Sequence, residues 1–174
     1  DGDDAGTFLY ALSEDAETEP EETAYTSAIP TAKDVGTYYV WYKIQGNKNY
    51  SDVAPAMVEA TIVKKAVTIS GITAEDKVYD GNTEATLNYD AAVFDGICEN
   101  DELEIAATGT FVDANAGENK TVNITDLVLS GTSIDNYELA AEGQQADTTA
   151  AIEQQAVTVS GITAEDKVYD GSIA

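Results

Sequence analysis

The twelve residues SGITAEDKVYDG occur twice in this chain, as Ser70–Gly81 and as Ser160–Gly171, identical at every position and ninety residues apart. Extended backwards, AVTI (Ala66–Ile69) meets AVTV (Ala156–Val159), so the shared phrase runs to sixteen residues with one conservative change. A period of this length belongs to whole domains in tandem, since the repeats that build solenoids run about 20–45 residues. The chain is therefore expected to divide into a complete unit at residues 66–155 and the opening strand of a further, truncated repeat at residues 156–174. Residues 1–65 read as the later part of a related unit that lacks its first strands. Landmarks recur there in the same order: DVGTYYVWYKI (Asp34–Ile44) parallels NAGENKTVNIT (Asn115–Thr125), Asn49-Tyr50 parallels Asn136-Tyr137, and ATIVKKAVTI (Ala60–Ile69) parallels AAIEQQAVTV (Ala150–Val159).

Local periodicity is that of strands. TYYVWYKI places Tyr38, Val40, Tyr42 and Ile44 on one face and Thr37, Tyr39, Trp41 and Lys43 on the other, in a β-branched and aromatic composition. Val67 and Ile69, Leu103 and Ile105, and Val122 and Ile124 alternate likewise, and a slip of phase between Ile124 and Leu127 predicts a bulge at Thr125-Asp126. Asp80-Gly81, Asp95-Gly96 and Gly46-Asn47 carry turn chemistry. No segment holds a long 3.6-residue apolar period, and at most one short helix is expected, around Ala91 to Asp101. The predicted class is all-β: tandem small antiparallel β domains, with an immunoglobulin-like sandwich favoured and a β-grasp-like sheet carrying that one helix as the alternative.

Charge narrows the function. Thirty-three acidic residues face eight lysines, with no arginine or histidine, for a net charge of −25. Such a surface repels phosphate backbones and anionic headgroups, so neither nucleic acid nor a membrane is an expected partner. The missing residues also remove the phosphate fork, the common metal imidazole and the acid–base group that titrates near neutrality, so the chain is not expected to be an enzyme. Cys98 is the only cysteine, which excludes an intramolecular disulfide and a cysteine–histidine zinc site, and it reads as a small buried apolar residue.

Taken in order, KVYDGNTEATL, GTFVDANAGENKTV, LSGTSIDNYEL and TTAAIEQQAVTV make the unit from Ala66 to Gln155 resemble the YDG-type repeat of bacterial surface proteins. The first segment, with GTFLYAL, TSAIPTAKDVGTYYVWYKIQGNKNYSD and VEATIVKKAVTI, is similar to the MBG or bacterial immunoglobulin-like repeats found beside it. The resemblance covers nearly the whole chain and brings no catalytic motif. It implies a non-catalytic structural or adhesive repeat segment, a stalk or spacer, of a secreted or wall-anchored protein at the bacterial cell surface. The implied partners are neighbouring repeats of the same polypeptide and a host glycan or protein. In the YDG phrase the tyrosine reads as a packing residue and Asp-Gly as a turn.

Four candidate sites follow. The rings of Tyr39 and Trp41, taken as the exposed face of their strand, would suit a carbohydrate or protein ligand. Glu75, Asp76 and Asp80 lie where one unit meets the next, and calcium is the one cofactor their carboxylates would suit. Asp1-Gly2-Asp3-Asp4 begins like a calcium loop but lacks the terminal glutamate. Asp95, Glu99, Asp101, Glu102 and Glu104 could pair as glycosidase carboxylates, although an acidic solvated loop is the plainer reading. Lys77 and Lys120 are the lysines available for an isopeptide bond. The closing phrase is itself an edge-seeking strand, which raises strand-exchange self-association.

Overall fold

The computed structural model describes residues 6–173. The chain is all-β, with two short 3-10 turns and no α-helix among the described residues. Three strands form the first sheet: β1 (Thr7–Ser13), β2 (Gly36–Gln45) and β3 (Val53–Ile62), antiparallel in that order. The remaining strands are β4 (Lys65–Ser70), β5 (Thr73–Ala74), β6 (Lys77–Val78), β7 (Glu84–Ala85), β8 (Leu87–Asn88), β9 (Val93–Asp95), β10 (Glu104–Phe111), β11 (Gly117–Ser130), β12 (Tyr137–Leu139) and β13 (Asp147–Glu153). They make a five-stranded sheet in the order β6-β13-β11-β10-β7, a three-stranded sheet β12-β4-β9 and the pair β5-β8.

The two halves share a frame. Gly36 pairs with Ile62 across β2 and β3, and Gly117 pairs with Ile152 across β11 and β13, which are the positions equated by the sequence landmarks. β1 lies beside β2 as β10 lies beside β11.

Pairing is not antiparallel throughout, which corrects one detail of the sequence reading. β12 runs parallel to β4 and β13 runs parallel to β6. The cause is topological: the closing strands of the unit return alongside its entry segment in the same direction, and such pairs need long crossovers. The repeated phrase is thereby clasped by the end of its own unit. Val67, Ile69 and Ile72 enter one core with Ile124 and Tyr137, while Phe111, Val122, Ala150 and Ile152 form a second cluster. Burying each such aliphatic side chain is worth about 1.5–3 kcal/mol.

The second copy of the phrase measures how much of this is local. Val67, Ile69 and Ile72 are 1%, 0% and 1% exposed, whereas Val157, Val159 and Ile162 are 85%, 77% and 83% exposed. Equivalent side chains become core only where the rest of a unit surrounds them.

The bulge falls at the expected place. Ala106 pairs with Val128 and Thr108 with Thr125, so Asp126 and Leu127 oppose Ala107 alone, and Asp126 takes a φ of +52°. Ala107, opposite the extra residue, finds its partner in Tyr89, whose hydroxyl accepts from its N–H at 2.9 Å and donates to its C=O at 3.1 Å.

The short helix is absent. Residues 93–95 are β9, antiparallel to β4, and Gly96 follows with a φ of +96°. Val93 and Phe94 favour extended backbone, and a glycine in the left-handed region ends any helical turn. Gly71 is required for a similar reason: its φ is +79°, and a Cβ there would stand 2.2 Å from the carbonyl oxygen of Ala91.

Candidate functional site

Tyr39 and Trp41 do not form the open face expected of them; residues 38–44 are half-buried on both faces of the strand. Across the register, Tyr39, Trp41 and Lys43 share a face with Ser13, Ala11 and Leu9. The connection after β1 returns so that Thr26 bridges Tyr10, bringing Tyr25 to this face. Ala11 and Tyr25 are buried, and Lys43 Nζ sits 4.3 Å from the centroid of the Tyr25 ring while pairing with Glu22. Trp41 and Tyr39 are half-buried, and Trp41 Nε1 and Tyr25 Oη are enclosed without a protein partner. Burial raises the Tyr25 hydroxyl above its ordinary range. Tyr39 and Trp41 are therefore no open aromatic row. The alternation was read correctly, but which face is covered depends on a connection of more than twenty residues that periodicity does not encode. The other face carries Phe8, Tyr10 and Leu12 beside Ile44, Tyr42 and Val40; Phe8, Leu12 and Val58 are exposed, and the Phe8 and Tyr10 rings stack at 6.2 Å.

The junction carboxylates are engaged separately. Asp76 Oδ1 accepts from the backbone N–H of Ala151 at 2.6 Å, fastening the entry segment to β13. Asp80 Oδ1 accepts from the N–H of Asn82 at 3.0 Å and pairs with Lys77 Nζ at 2.9 Å. Glu75 is exposed. The hydrogen bond from Lys77, then that from the Asn82 backbone, holds the Asp80 carboxyl below the usual range. Among the described residues no three acidic or cysteine side chains converge to hold a metal, and Asp1 to Asp4 lie outside them.

The Tyr-Asp-Gly phrase is a clamp built around a lysine. Lys77 Nζ donates to Asn82 Oδ1 at 2.7 Å and to the carbonyl oxygens of Asn82 and Glu84 at 3.1 Å each, while Gly81 supplies a φ of +82°. In the second copy Lys167 pairs with Asp170 at 2.8 Å and donates to Ser172 Oγ at 2.6 Å, with Gly171 at a φ of +74°. The turn thus forms with no core beneath it. Tyr79 and Tyr169 are 44% and 93% exposed, so the tyrosine is not the packing residue it was expected to be. The clamp occupies Lys77 Nζ with Asp80, Asn82 and the Glu84 carbonyl. Lys120 is likewise paired with Asp113 Oδ1, at 2.8 Å.

The two halves meet in a cleft of about 260 Å³. Val35 N–H donates to Asn136 Oδ1 at 2.8 Å and Asn136 Nδ2 donates to Asp34 Oδ1 at 3.2 Å. Lys64 Nζ donates to the Ile134 carbonyl at 3.4 Å, and Lys33 lies 4.0 Å from Asp101. Glu99 and Asp101 both line this cleft, but Asp101 already accepts the Tyr137 hydroxyl at 2.6 Å. That carboxylate, more than the Cys98 contact or burial, pushes the Tyr137 hydroxyl well above its ordinary value. Cys98 is exposed, contrary to expectation, with Lys65 Nζ 3.5 Å from its sulfur. The Tyr137 hydroxyl first and Lys65 second lower its thiol.

Sequence reasoning missed Gln144 and Gln145. Gln144 accepts from Ile69 N–H at 2.9 Å and donates to the Val67 carbonyl at 3.0 Å; Gln145 does the same for Ile72, at 2.8 Å and 2.7 Å. These amides serve as strand partners along the entry segment. A Gln-Gln pair before a strand gave no signal, because glutamine is ordinary on any surface.

The sequence pattern of the YDG domain matches residues 63–149, from the link before β4 into β13. The chain belongs to the YDG domain family. No curated protein and no solved structure matches it. The clasped entry phrase, the lysine clamp and the bulge on Tyr89 are all features of this YDG unit.

Proposed function

We propose that this chain is a non-catalytic segment of a bacterial surface protein, in which YDG units alternate with related MBG or immunoglobulin-like units as an extracellular stalk or spacer. The observation that carries the reading is the return of the entry phrase, identical over Ser160–Gly171, immediately after a unit that has closed on its own first copy. The matching pairs Gly36–Ile62 and Gly117–Ile152 support a lineage of tandem duplication. A net charge of −25 suits such an array, since like-charged units stay soluble and repel collapse. The test is small-angle scattering of chains carrying one, two and three copies of residues 66–155. A maximum dimension that grows by a constant step supports a spacer, and compact particles of unchanged length refute it. Antibody labelling of intact source cells checks the location; a signal found only after lysis refutes surface display.

A second reading, a carbohydrate- or protein-binding module, is favoured by the apolar face of the first sheet on which Phe8, Leu12 and Val58 are exposed beside the stacked ring of Tyr10. Glycan-array binding that is lost in Phe8→Ala but kept in Tyr39→Ala would support it, and no binding by the parent chain would remove it.

A further inference from the structure

The contact between the two halves has an unoccupied counterpart at the far end of the YDG unit. Gly36 and Gly117 occupy the same register position, against Ile62 and Ile152 respectively. Asp34 and Val35 therefore correspond to Asn115 and Ala116, and Lys64 and Lys65 to Gln154 and Gln155. In the first half, Asp34, Val35 and Lys64 are the groups that receive the Ser133–Asn136 turn of the following unit. At the far end, Tyr79, Asn115, Ala116, Gln154, Gln155 and Val157 line an open cleft of about 510 Å³.

We infer that this far end, Asn115-Ala116 with Gln154-Gln155, is a docking surface for the Asn136 turn of a second YDG unit. The chemistry carries over group by group. The Ala116 N–H replaces that of Val35 as donor to the incoming asparagine oxygen. Asn115 Oδ1 replaces the Asp34 carboxylate as acceptor for its amide. The Gln154 amide replaces the Lys64 ammonium as donor to the carbonyl that corresponds to Ile134. The entry phrase at Ala156–Gly171 leads the chain into that second unit, as Lys65–Ser70 leads it into the first. Charge does not carry over: Lys33, Lys64 and Lys65 become Ala114, Gln154 and Gln155, so the far junction has no lysine to set against the Asp101 carboxylate of its partner. Junctions between successive YDG units are accordingly held by neutral hydrogen bonds and are insensitive to salt, whereas the junction seen here weakens as salt screens its ion pair.

This inference rests on the tandem-array reading, and its test separates the two. The chain is extended after Gly171 by a copy of its own residues 82–155, and amide hydrogen exchange is followed by NMR. The expected result is that the Ala116 amide exchanges about tenfold more slowly than in the parent chain. Alanine at the added unit's counterpart of Asn136 restores the faster rate, just as Asn136→Ala speeds exchange of Val35 in the parent. Unchanged exchange at Ala116 beside a folded added unit overturns the docking surface and leaves the spacer reading standing. An added unit that fails to fold overturns both.

Discussion

Tyr89→Phe removes one oxygen and nothing else, which makes it a sharp probe of how the YDG unit tolerates its bulge. In the parent the hydroxyl closes two bonds with the same residue, 2.9 Å from the Ala107 nitrogen and 3.1 Å from its oxygen. A net protein hydrogen bond contributes about 1 kcal/mol, and a buried backbone group left without a partner costs about 1–3 kcal/mol. Ala107 and Tyr89 are only half-buried, so water can reach part of the site and the lower end applies. The expected loss is about 2 kcal/mol, which for a domain of this size lowers the thermal midpoint by roughly 8–16 °C. Guanidinium unfolding, followed by circular dichroism at equal slope, measures it. Tyr79→Phe is the control, since that ring is exposed, and it should move stability by less than about 0.5 kcal/mol. A Tyr89→Phe loss no larger than the control's would refute the claim that the hydroxyl stands in for a strand partner at the bulge.

Three further outcomes are expected. Gly71→Ala forces a Cβ to within 2.2 Å of a backbone oxygen at a φ of +79° and should cost more than about 2 kcal/mol, whereas Gly161→Ala, at a φ of +74° but with nothing within 4 Å, meets only the backbone strain and should cost about 1 kcal/mol or less in the same melts. The Lys120 bond, then the Asn115 backbone, holds Asp113 below its ordinary 3.8, so its contribution to stability is complete above that value and disappears as pH falls through the lower folded value. The stability gap between the parent and Asp113→Asn should therefore close on acidification below about pH 4, and a gap that persists at pH 2 would contradict the assignment. Calcium at millimolar concentration should raise the midpoint no more than magnesium at equal ionic strength, because Asp76 and Asp80 are bound to Ala151, Asn82 and Lys77; a calcium-specific rise would show that they reorganise around the ion.

What the sequence revealed and what it withheld divide along the range of the interactions. The bulge at Asp126 was legible because a one-residue slip in a period of two flips every later side chain. The Asp80-Gly81 turn was legible because its bonds lie within seven residues of one another, from Lys77 to Glu84. The covered face of β2 was not, since either face of TYYVWYKI is apolar enough to be core and the choice is made by Tyr25 arriving from a distant loop. The parallel partners of β4 and β6 lie some seventy residues downstream, where composition says nothing about direction. Cys98 was misplaced for the same reason: its exposure is set by the cleft between two halves and not by its neighbours in sequence.

The doubled phrase separates these ranges within one molecule. Its second half, Lys-Val-Tyr-Asp-Gly, makes the same lysine-centred turn in both copies, one set against the Phe111 ring and one in solvent, so that turn is written in five residues and the one that follows Gly. Its first half, Ala-Val-Thr, is a strand in one copy and an exposed segment in the other, so the strand is written in the partners that the unit supplies on either side: Val93–Asp95, Tyr137–Leu139 and Gln144. Such a unit closes only when its last strand returns to its first, and it does so without borrowing from its neighbour. That self-sufficiency lets the phrase be repeated unchanged: each copy carries a preformed turn and a strand that only its own unit completes. Misassembly between copies is then limited by the strand half alone, where Val67 and Val157 are interchangeable by sequence and only chain connectivity favours the correct one.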